Sequence, residues 1–447
     1  MEAVFSFLYY AGLLILGLSI LVVWHELGHF LPAKWFGMRV EKFYLFFDWP
    51  RKLFSFKKKD TEYGVGMLPL GGYVKISGIV DESMDTGFAQ TPAQPWEFRA
   101  KPVWQRFIVM AGGVIMNVIL GVFIFWMVKY TVGEYKIPIS GMKYGLDVAP
   151  ESFAEELGFK SYDQLLTFNG KPIQYLNEVS NPNILLEQDA YFEILRNGQK
   201  IRIDIPNGFL ERFSEQKSKQ SQVLLLPNTE PFVYVLENSP AGKAGLKDGD
   251  KILQINSTTI NTFTDIRQAI HSRANQLVEI RYTRENQEFN TKAQLDSSAK
   301  LGIAQSDKAI PIETFNYSFF GAFVPGLSAA FSTITDNVKG LRKIVTGEVS
   351  AGKSMAGPVK IAKMIGKNFD NSGWLGFWTI TGALSMVLAF MNILPIPALD
   401  GGHIVFLLIE GVTGKEPPLK VRMVAQQIGM VLLLALMVFV IINDIIN

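Results

Sequence analysis

The sequence predicts a polytopic α-helical membrane protein with four transmembrane helices, a membrane-associated β-hairpin or sheet in the first loop, and two small extracytoplasmic α+β domains in tandem. Three observations predict this fold. Four separate apolar runs are each about as long as the 20 residues that cross hydrocarbon. A Gly-rich segment of short apolar strands lies between the first two runs. An internal repeat lies between the second and third runs.

The four apolar runs contain no Asp, Glu, Lys or Arg and comprise residues 3–24, 107–128, 374–391 and 423–442. The first is too long and too aromatic for a signal-peptide core and has no basic segment before it, so we expect it to be retained as a helix. We divide the chain into 1–33, 105–129, 373–410 and 411–447 (the four transmembrane helices), 34–104 (the first loop), 130–222 and 223–308 (the tandem domains), and 309–372 (amphipathic helices).

The Lys and Arg residues that flank the apolar runs predict the orientation of the chain. The segment between the first two runs is rich in them, and Lys415, Lys420 and Arg422 follow the third run. The N-terminal tail has none. Because cytoplasmic loops carry the excess of Lys and Arg, we expect both termini and the tandem domains outside the cytoplasm.

Composition excludes several classes of site. The chain has no Cys, which excludes thiolate zinc ligands, a cysteine nucleophile and disulfides. Its formal net charge is +2, and no basic patch interleaved with aromatic residues indicates a nucleic-acid partner. Its four histidines are His25, His29, His271 and His403. Any histidine-based metal site must therefore use these.

A His-Glu-x-x-His motif, His25-Glu26-Leu27-Gly28-His29, closes the first apolar run. On a helix, positions i and i+4 share one face, so both imidazoles can reach one zinc ion while Glu26 serves as general base. Ionisable groups at membrane depth cost about 2.5–3.5 kcal/mol each, so an unneeded cluster would be costly there. The alternative is a pair of hydrogen-bonded structural histidines.

Catalytic zinc needs a third protein ligand, and the sequence near the motif offers only the weak candidates Glu41 and Asp48. The better candidates, Asp400 and His403, lie after the third run, where Pro395 and Pro397 stop the helix. The first and third runs cross the membrane in the same direction, so their ends reach the same side.

Either candidate satisfies zinc on chemical grounds. A carboxylate leaves the site closer to neutral, which favours Asp400, whereas His403 then has a supporting or packing role. The alternative for Asp400 is a cap on the helix that follows it.

The internal repeat aligns residues 157–170 with 244–257 without a gap. It resembles PDZ domains of the bacterial protease type, and residues 239–256 form the clearer copy. PDZ domains bind extended peptides by strand addition, so we expect peptide or chain-terminus ligands, with Leu301-Gly302-Ile303 accepting the terminus in the second copy. Folded spacers without a ligand are the alternative.

Two further segments indicate contact with lipid or substrate. Residues 315–370 show apolar positions at helical spacing with basic residues between them, which predicts amphipathic helices at the membrane lipid surface or packed on the spans. A plain linker is the alternative. Residues 63–75 form short apolar strands around Gly-rich turns, and an edge strand there would hold an unwound substrate. The residues expected to do so are Gly64, Val65, Gly66, Met67 and Leu68. A hairpin that only connects two helices is the alternative.

These motifs together resemble the site-2 protease family of intramembrane zinc metalloproteases. The resemblance covers nearly the whole chain: the His-Glu-x-x-His motif, the tandem repeat, and Asn392-x-x-Pro395-x-Pro397-x-x-Asp400-Gly401 at the third run. It extends to residues 98–106 and to residues 111–117. The second of these segments is similar to the family's Ala-Gly-Pro-x-x-Asn stretch but has Gly113 in place of the proline.

The resemblance implies Zn²⁺ bound by His25, His29 and Asp400, with Glu26 as acid and base and Asn392 near the substrate backbone. Asn117, Pro395, Pro397 and His403 are expected to support the site. It also implies a bacterial inner membrane protein that takes part in regulated intramembrane proteolysis. Its single-span membrane protein substrates would be an anti-sigma factor already trimmed by another protease, or signal-peptide remnants.

Two other functions fit parts of the sequence. One is a PDZ-containing membrane scaffold or chaperone with a non-catalytic metal site, although a scaffold needs no base such as Glu26. The other is a transporter, which the broken helix at Pro395 suggests, but four spans without repeated halves are few for transport.

Overall fold

The computed structural model describes residues 2–79, 91–206, 208–209, 225–350, 352 and 356–446 of the 447-residue chain. The chain divides into two compact units. The membrane unit comprises Met1–Gly133, Tyr317–Leu341 and Ser354–Asn447, and the repeat unit comprises Glu134–Asn316 and Arg342–Lys353. The predicted boundary between the tandem domains, 222/223, lies outside the described residues.

The described elements are as follows in chain order. The helices are α1 (Glu2–Trp35), α2 (Val103–Val132), α3 (Phe153–Glu156), α4 (Asn177–Ser180), α5 (Pro240–Lys243), α6 (Phe263–Ile270), α7 (Phe323–Val345), α8 (Pro358–Ile393), α9 (Asp400–Thr413) and α10 (Leu419–Ile446). The strands are β1 (Val40–Lys58), β2 (Thr61–Ile76), β3 (Glu134–Lys136), β4 (Leu146–Asp147), β5 (Gln164–Phe168), β6 (Lys171–Pro172), β7 (Tyr191–Arg196), β8 (Gln199–Asp204), β9 (Leu226–Pro227), β10 (Val233–Val235), β11 (Lys251–Ile255), β12 (Thr258–Thr259), β13 (Leu277–Arg284), β14 (Gln287–Gln294), β15 (Ile303–Gln305) and β16 (Glu313–Phe315).

Four helices of the described chain, α1, α2, α8 and α10, are long and apolar enough to cross a membrane, which confirms the predicted number of spans. α1 continues past its apolar run and carries the His-Glu-x-x-His motif inside the helix. α8 is broken at Gly373, whose φ of 57° is accessible to glycine at little cost. The apolar run predicted to begin at residue 374 therefore starts directly after this break.

The first loop forms one sheet from the two long, bent strands β1 and β2, each of which contributes two segments. Residues 42–45 pair with 62–65 on one side and with 72–75 on the other. Residues 52–58 pair with the free side of 61–66. The sheet therefore has four adjacent segments, and its two edges are residues 52–58 and 72–76.

This pairing corrects, for Gly64 and Val65, the expectation that the segment from Gly64 to Leu68 offers a free edge. Gly64 pairs with both Tyr44 and Ser55, and Val65 pairs with both Leu45 and Phe54. Gly64 and Val65 therefore have no side on which to accept another chain, whereas Gly66 and Leu68 pair with one neighbour each, Lys52 and Phe47.

An ion pair links residues 52–58, at one edge of this sheet, to the neighbouring segment 61–66. Lys52 donates to Glu62 over 2.9 Å, and the Tyr44 hydroxyl donates to the same carboxylate over 2.7 Å. These two hydrogen bonds, that of Lys52 first, lower the pKa of Glu62 to about 2. The carboxylate thus stays charged over the physiological pH range.

The repeat unit contains the same arrangement twice. Its four-stranded sheets have the orders β6-β5-β7-β8 and β12-β11-β13-β14, and each covers its own apolar core. In each copy a fully buried Asp accepts two hydrogen bonds of 2.7 Å from the Arg that ends the third strand of that order. These pairs are Asp163–Arg196 and Asp250–Arg284. The ungapped sequence repeat therefore corresponds to a repeated structure.

The larger segment of the repeat unit, Glu134–Asn316, begins and ends at one short ladder. β3 pairs with β16, and Glu313 lies opposite Lys136. The two ends of this segment, residues 134–136 and 313–315, are therefore adjacent, like the two strands at the base of a hairpin.

The segment predicted to form amphipathic helices contains α7. Four of its exposed apolar residues recur every seven positions, at Val324, Phe331, Val338 and Val345. This spacing leaves one apolar stripe along the helix. The location of that stripe at the membrane surface stays a prediction.

Candidate metal centre

Three potential ligand atoms from α1 and α9 converge in the membrane unit. The Nε2 atoms of His25 and His29 lie 3.3 Å apart. Asp400 places Oδ2 at 3.3 Å from His25 Nε2 and Oδ1 at 3.5 Å from His29 Nε2. His25 and His29, on adjacent turns of one helix, therefore lie next to Asp400, which follows His29 by 371 positions in the chain (400 − 29).

Glycines bring α2 close enough to support the two histidines. A Cβ added at Gly28 would lie 2.2 Å from the carbonyl oxygen of Gly112, and one added at Gly112 would lie 1.9 Å from that of Gly28. A Cβ at Gly113 would lie 2.5 Å from both His25 Cε1 and His29 Nε2. Only residues without a side chain fit at these positions, and small residues at helix contacts are typical of membrane proteins.

Three groups outside the ligand set contact the imidazole rings. His29 Nδ1 lies 2.8 Å from the carbonyl oxygen of Val109 and donates to it. The side-chain amide of Asn117 lies 3.1 Å from His25 Nδ1. Asn392, near the end of α8, places its amide 3.4 Å from His25 Nε2.

The backbone between α8 and α9 positions Asp400. α8 ends at Ile393 before the two prolines, and Ala398 has a φ of 80°. Gln426 on α10 accepts a hydrogen bond from the backbone N–H of Ala398 over 3.2 Å. Gly429 lies so close to this loop that a Cβ there would be 1.7 Å from the Pro397 carbonyl oxygen. The loop thus rests on α10.

Asp400 is the first residue of α9, and its carboxylate faces the histidines. The helix cap is Leu399, and no side-chain hydrogen bond caps this end. The structure therefore does not show the capping role that the sequence left open for Asp400. His403, the other candidate ligand, lines the adjoining cavity but is outside the group of three converging ligands.

A cavity of about 380 Å³ opens beside the three ligand atoms. Its lining includes Glu26, Lys42, Tyr73, Lys75, His403 and Gln426. Glu26 is only 8% exposed and directly follows His25 in the helix. A buried carboxylate therefore faces the same space as the candidate ligands.

The donor set fits zinc. Ligand atoms held tetrahedrally at about 2.0–2.1 Å from zinc are about 3.3–3.4 Å from one another. Here the two Nε2 atoms are 3.3 Å apart, and they lie 3.3 and 3.5 Å from the two different carboxylate oxygens of Asp400. In addition, Asp400 Oδ2 is buried without a hydrogen-bond partner among the described residues, which is costly for a carboxylate unless a cation satisfies it.

The structure places Glu26, Asn117 and Asn392 close to the three predicted metal ligands. It does not place the predicted substrate strand there. The cavity is lined by residues 72–76, the edge of the sheet, and not by Gly64 to Leu68. The weak ligand candidates are engaged elsewhere: Asp48 accepts from Lys42 over 2.8 Å, and Glu41 accepts from Ser77.

Sequence reasoning missed the supporting contacts of Gly113, Val109, Gln426 and Gly429. Paired glycines in an apolar run, as at Gly112-Gly113, are a signal for close helix contact. The pair Gln426-Gln427 in the fourth apolar run is likewise a signal, because polar groups at membrane depth need a partner.

Comparison with known proteins assigns the chain to a family. A family model described as Peptidase family M50 matches residues 13–436. The chain belongs to peptidase family M50. Three relatives align over at least 96% of this chain and 97% of their own lengths. They are the Regulator of sigma E protease of Haemophilus influenzae (29% identical), a Vibrio cholerae protein with a zinc-metalloprotease name (28%), and the Regulator of sigma-E protease RseP of Escherichia coli (26%).

These findings confirm the predicted class. The chain is a zinc-dependent metalloendopeptidase of the site-2 type. Its four apolar helices and its bacterial relatives indicate a bacterial inner membrane protein. The family match and the names of these relatives argue against a membrane scaffold without catalytic activity.

Replacement of Gly113 by Ala should impair zinc binding. The new Cβ would meet both imidazoles at 2.5 Å and would displace the atoms that face Asp400. We expect an apparent zinc affinity about 10- to 100-fold weaker, as for other disturbances around metal ligands. Chelator competition on the purified protein measures this change. Gly12→Ala is the matched control, because a Cβ on Gly12 meets nothing within 4 Å.

Proposed function

We propose that this protein is an intramembrane zinc endopeptidase in which His25, His29 and Asp400 hold the metal and Glu26 is the general base. The observation that carries the proposal is the convergence of two imidazole nitrogens and the Asp400 carboxylate, with contacts of 3.3–3.5 Å, beside a buried glutamate on a long apolar helix. The His-Glu-x-x-His spacing and the match to peptidase family M50 support the same roles.

The chemistry divides between the metal and the chain. When bound, zinc supplies a Lewis acid that polarises the scissile carbonyl and lowers the pKa of a water molecule toward about 7. Glu26 takes the proton from the attacking water and returns it to the nitrogen of the leaving amine. Asn392 donates its amide to the substrate backbone beside His25. The low exposure of Glu26 keeps bulk water from competing for that proton.

We assign the binding of the unwound substrate to the edge of the sheet, residues 72–76. A peptide bond within a helix is protected, so the substrate must be extended before it is cut. Residues 72–75 pair with β1 on one side, while residues 72–76 line the catalytic cavity. Strand addition there would present an extended chain next to Glu26.

The substrates that we propose are single-span membrane proteins. Two relatives are named as regulators of sigma E. By that similarity, the substrate is an anti-sigma factor that another protease has already trimmed. Signal-peptide remnants have the same single-span chemistry.

Exchange of Glu26 for Gln should separate metal binding from catalysis. The amide cannot accept the proton, so cleavage of a reconstituted single-span substrate should fall about 10²- to 10⁴-fold while zinc content is unchanged. His25→Ala and Asp400→Ala should instead lose zinc. Wild-type cleavage by Glu26→Gln would contradict the assigned base.

Disulfide crosslinking can locate the bound substrate, because the natural chain has no Cys. In a Glu26→Gln background, Lys75→Cys should crosslink to single cysteines at alternate positions near the scissile bond, since strand neighbours repeat every two residues. Lys57→Cys on the opposite edge is the control and should not crosslink. A period of three to four residues would mean that the substrate stays helical.

We further propose that both termini and the repeat unit are extracytoplasmic. The Lys and Arg distribution supports this orientation. A membrane-impermeant maleimide applied to spheroplasts should label Lys243→Cys and spare Lys57→Cys, both of which replace exposed side chains. The reverse labelling would contradict the orientation.

The repeat unit, as a PDZ-like pair, would keep substrates with bulky outer domains from the site and bind peptides or chain termini. Its strand pairing allows a clean excision: Lys136 and Glu313 face each other, so residues 137–312 can be replaced by an Asn-Gly turn. We expect this variant to cleave an untrimmed substrate that the full chain leaves intact. If the full chain and the variant both leave the untrimmed substrate intact while both cleave a trimmed substrate, the proposed gating role is wrong.

A further inference from the structure

Asn117 on α2 places a fully buried amide against His25. As drawn, its Nδ2 is 3.1 Å from His25 Nδ1, and its Oδ1 has no hydrogen-bond partner among the described residues. The Ser385 hydroxyl donates to the backbone carbonyl of Asn117 over 2.7 Å and holds this part of α2 against α8. The oxygen and nitrogen of an amide have nearly the same shape, so hydrogen bonding must decide which one faces the imidazole.

The metal centre determines which nitrogen of His25 carries the proton. Nε2 is the atom that faces the other ligands, at 3.3 Å from both Asp400 Oδ2 and His29 Nε2. A neutral imidazole that binds a metal through Nε2 carries its proton on Nδ1. Nδ1 of His25 is then a donor, and the amide atom opposite it must be an acceptor.

His29 shows the same arrangement without ambiguity. Its Nδ1 lies 2.8 Å from the carbonyl oxygen of Val109, and a carbonyl oxygen only accepts. In the neutral imidazole that a metal requires, Nε2 of His29 therefore presents its lone pair to the site. Val109 and Asn117 lie on either side of Gly113, whose missing side chain lets α2 approach both rings.

We infer that Asn117 is a positioning residue whose Oδ1 accepts the Nδ1–H of His25 and thereby directs the Nε2 lone pair of that ring to the metal. This arrangement requires the amide to be turned over, so that Oδ1 takes the place of Nδ2 next to His25. One amide atom lacks a partner in both orientations of the amide. The orientation is therefore set by whether Nδ1 of His25 carries a proton. α2 then fixes the proton position in both histidines, through a carbonyl for one and an amide for the other. This inference rests on the proposed function, because it takes His25 as a ligand.

Two substitutions of similar size separate an acceptor from a donor. Asn117→Leu removes both functions, and we expect its zinc affinity, measured by chelator competition, to be about 10- to 100-fold weaker. Asn117→Asp offers only acceptors, so its affinity should stay within about threefold of wild type or exceed it. If Asn117→Asp is weakened as much as Asn117→Leu, or if Asn117→Leu binds zinc like wild type, the inference is wrong. The Asp variant decides the matter even if the Leu variant fails to fold.

Two further variants separate the effect of the amide from helix packing and from the loss of a ligand. Ser385→Ala loosens the same helix contact without altering the amide and should bind zinc like wild type; a loss equal to that of Asn117→Leu would attribute the effect to packing and overturn the inference. His25→Ala tests the underlying assignment. Full zinc affinity in His25→Ala would overturn the proposed ligands, whereas loss there with no loss in Asn117→Leu would overturn only the role of Asn117.

Discussion

The contact between α1 and α2 at Gly28 and Gly112 is made by backbone against backbone, and the metal centre depends on it. Lipid provides no hydrophobic force that drives helices together, so close packing of small residues must hold them. Side chains at these positions would overlap the facing carbonyl oxygens. With the glycines in place, Val109 and Asn117 reach the two imidazoles and fix their orientation.

A second constraint applies at the other ligand. Backbone that is not helical is tolerated at membrane depth only where the protein satisfies its polar groups. The chain between Ile393 and Asp400 meets this condition through α10, where Gln426 accepts the N–H of Ala398 and Gly429 admits the Pro397 carbonyl. α10 therefore supports the site, although few of its residues are buried. Its removal would leave Asp400 on an unsupported loop.

The repeat unit has a different source of stability. Each copy has an apolar core and one buried Asp–Arg pair, and the loss of one partner from such a pair typically costs about 3–5 kcal/mol. The second copy also shares a buried polar cluster with the first, since Asp147 accepts hydrogen bonds from Thr264 and Arg267. The two copies are thus joined by charged contacts that a simple tether would lack.

The sequence by itself determined everything that follows from local periodicity: the four spans, the shared helix face of His25 and His29, and the ungapped repeat. It also narrowed the third ligand to Asp400 or His403, because helix breakers near the end of a span are visible in the chain. Tertiary structure distinguishes these two, since it places Asp400 within 3.5 Å of both histidines, whereas His403 is outside that group of three. It also distinguishes Gly64 and Val65 from residues 72–75, although both stretches lie in short Gly-rich strands. Gly64 and Val65 pair on both sides, whereas within the described part of the chain residues 72–75 pair with β1 alone.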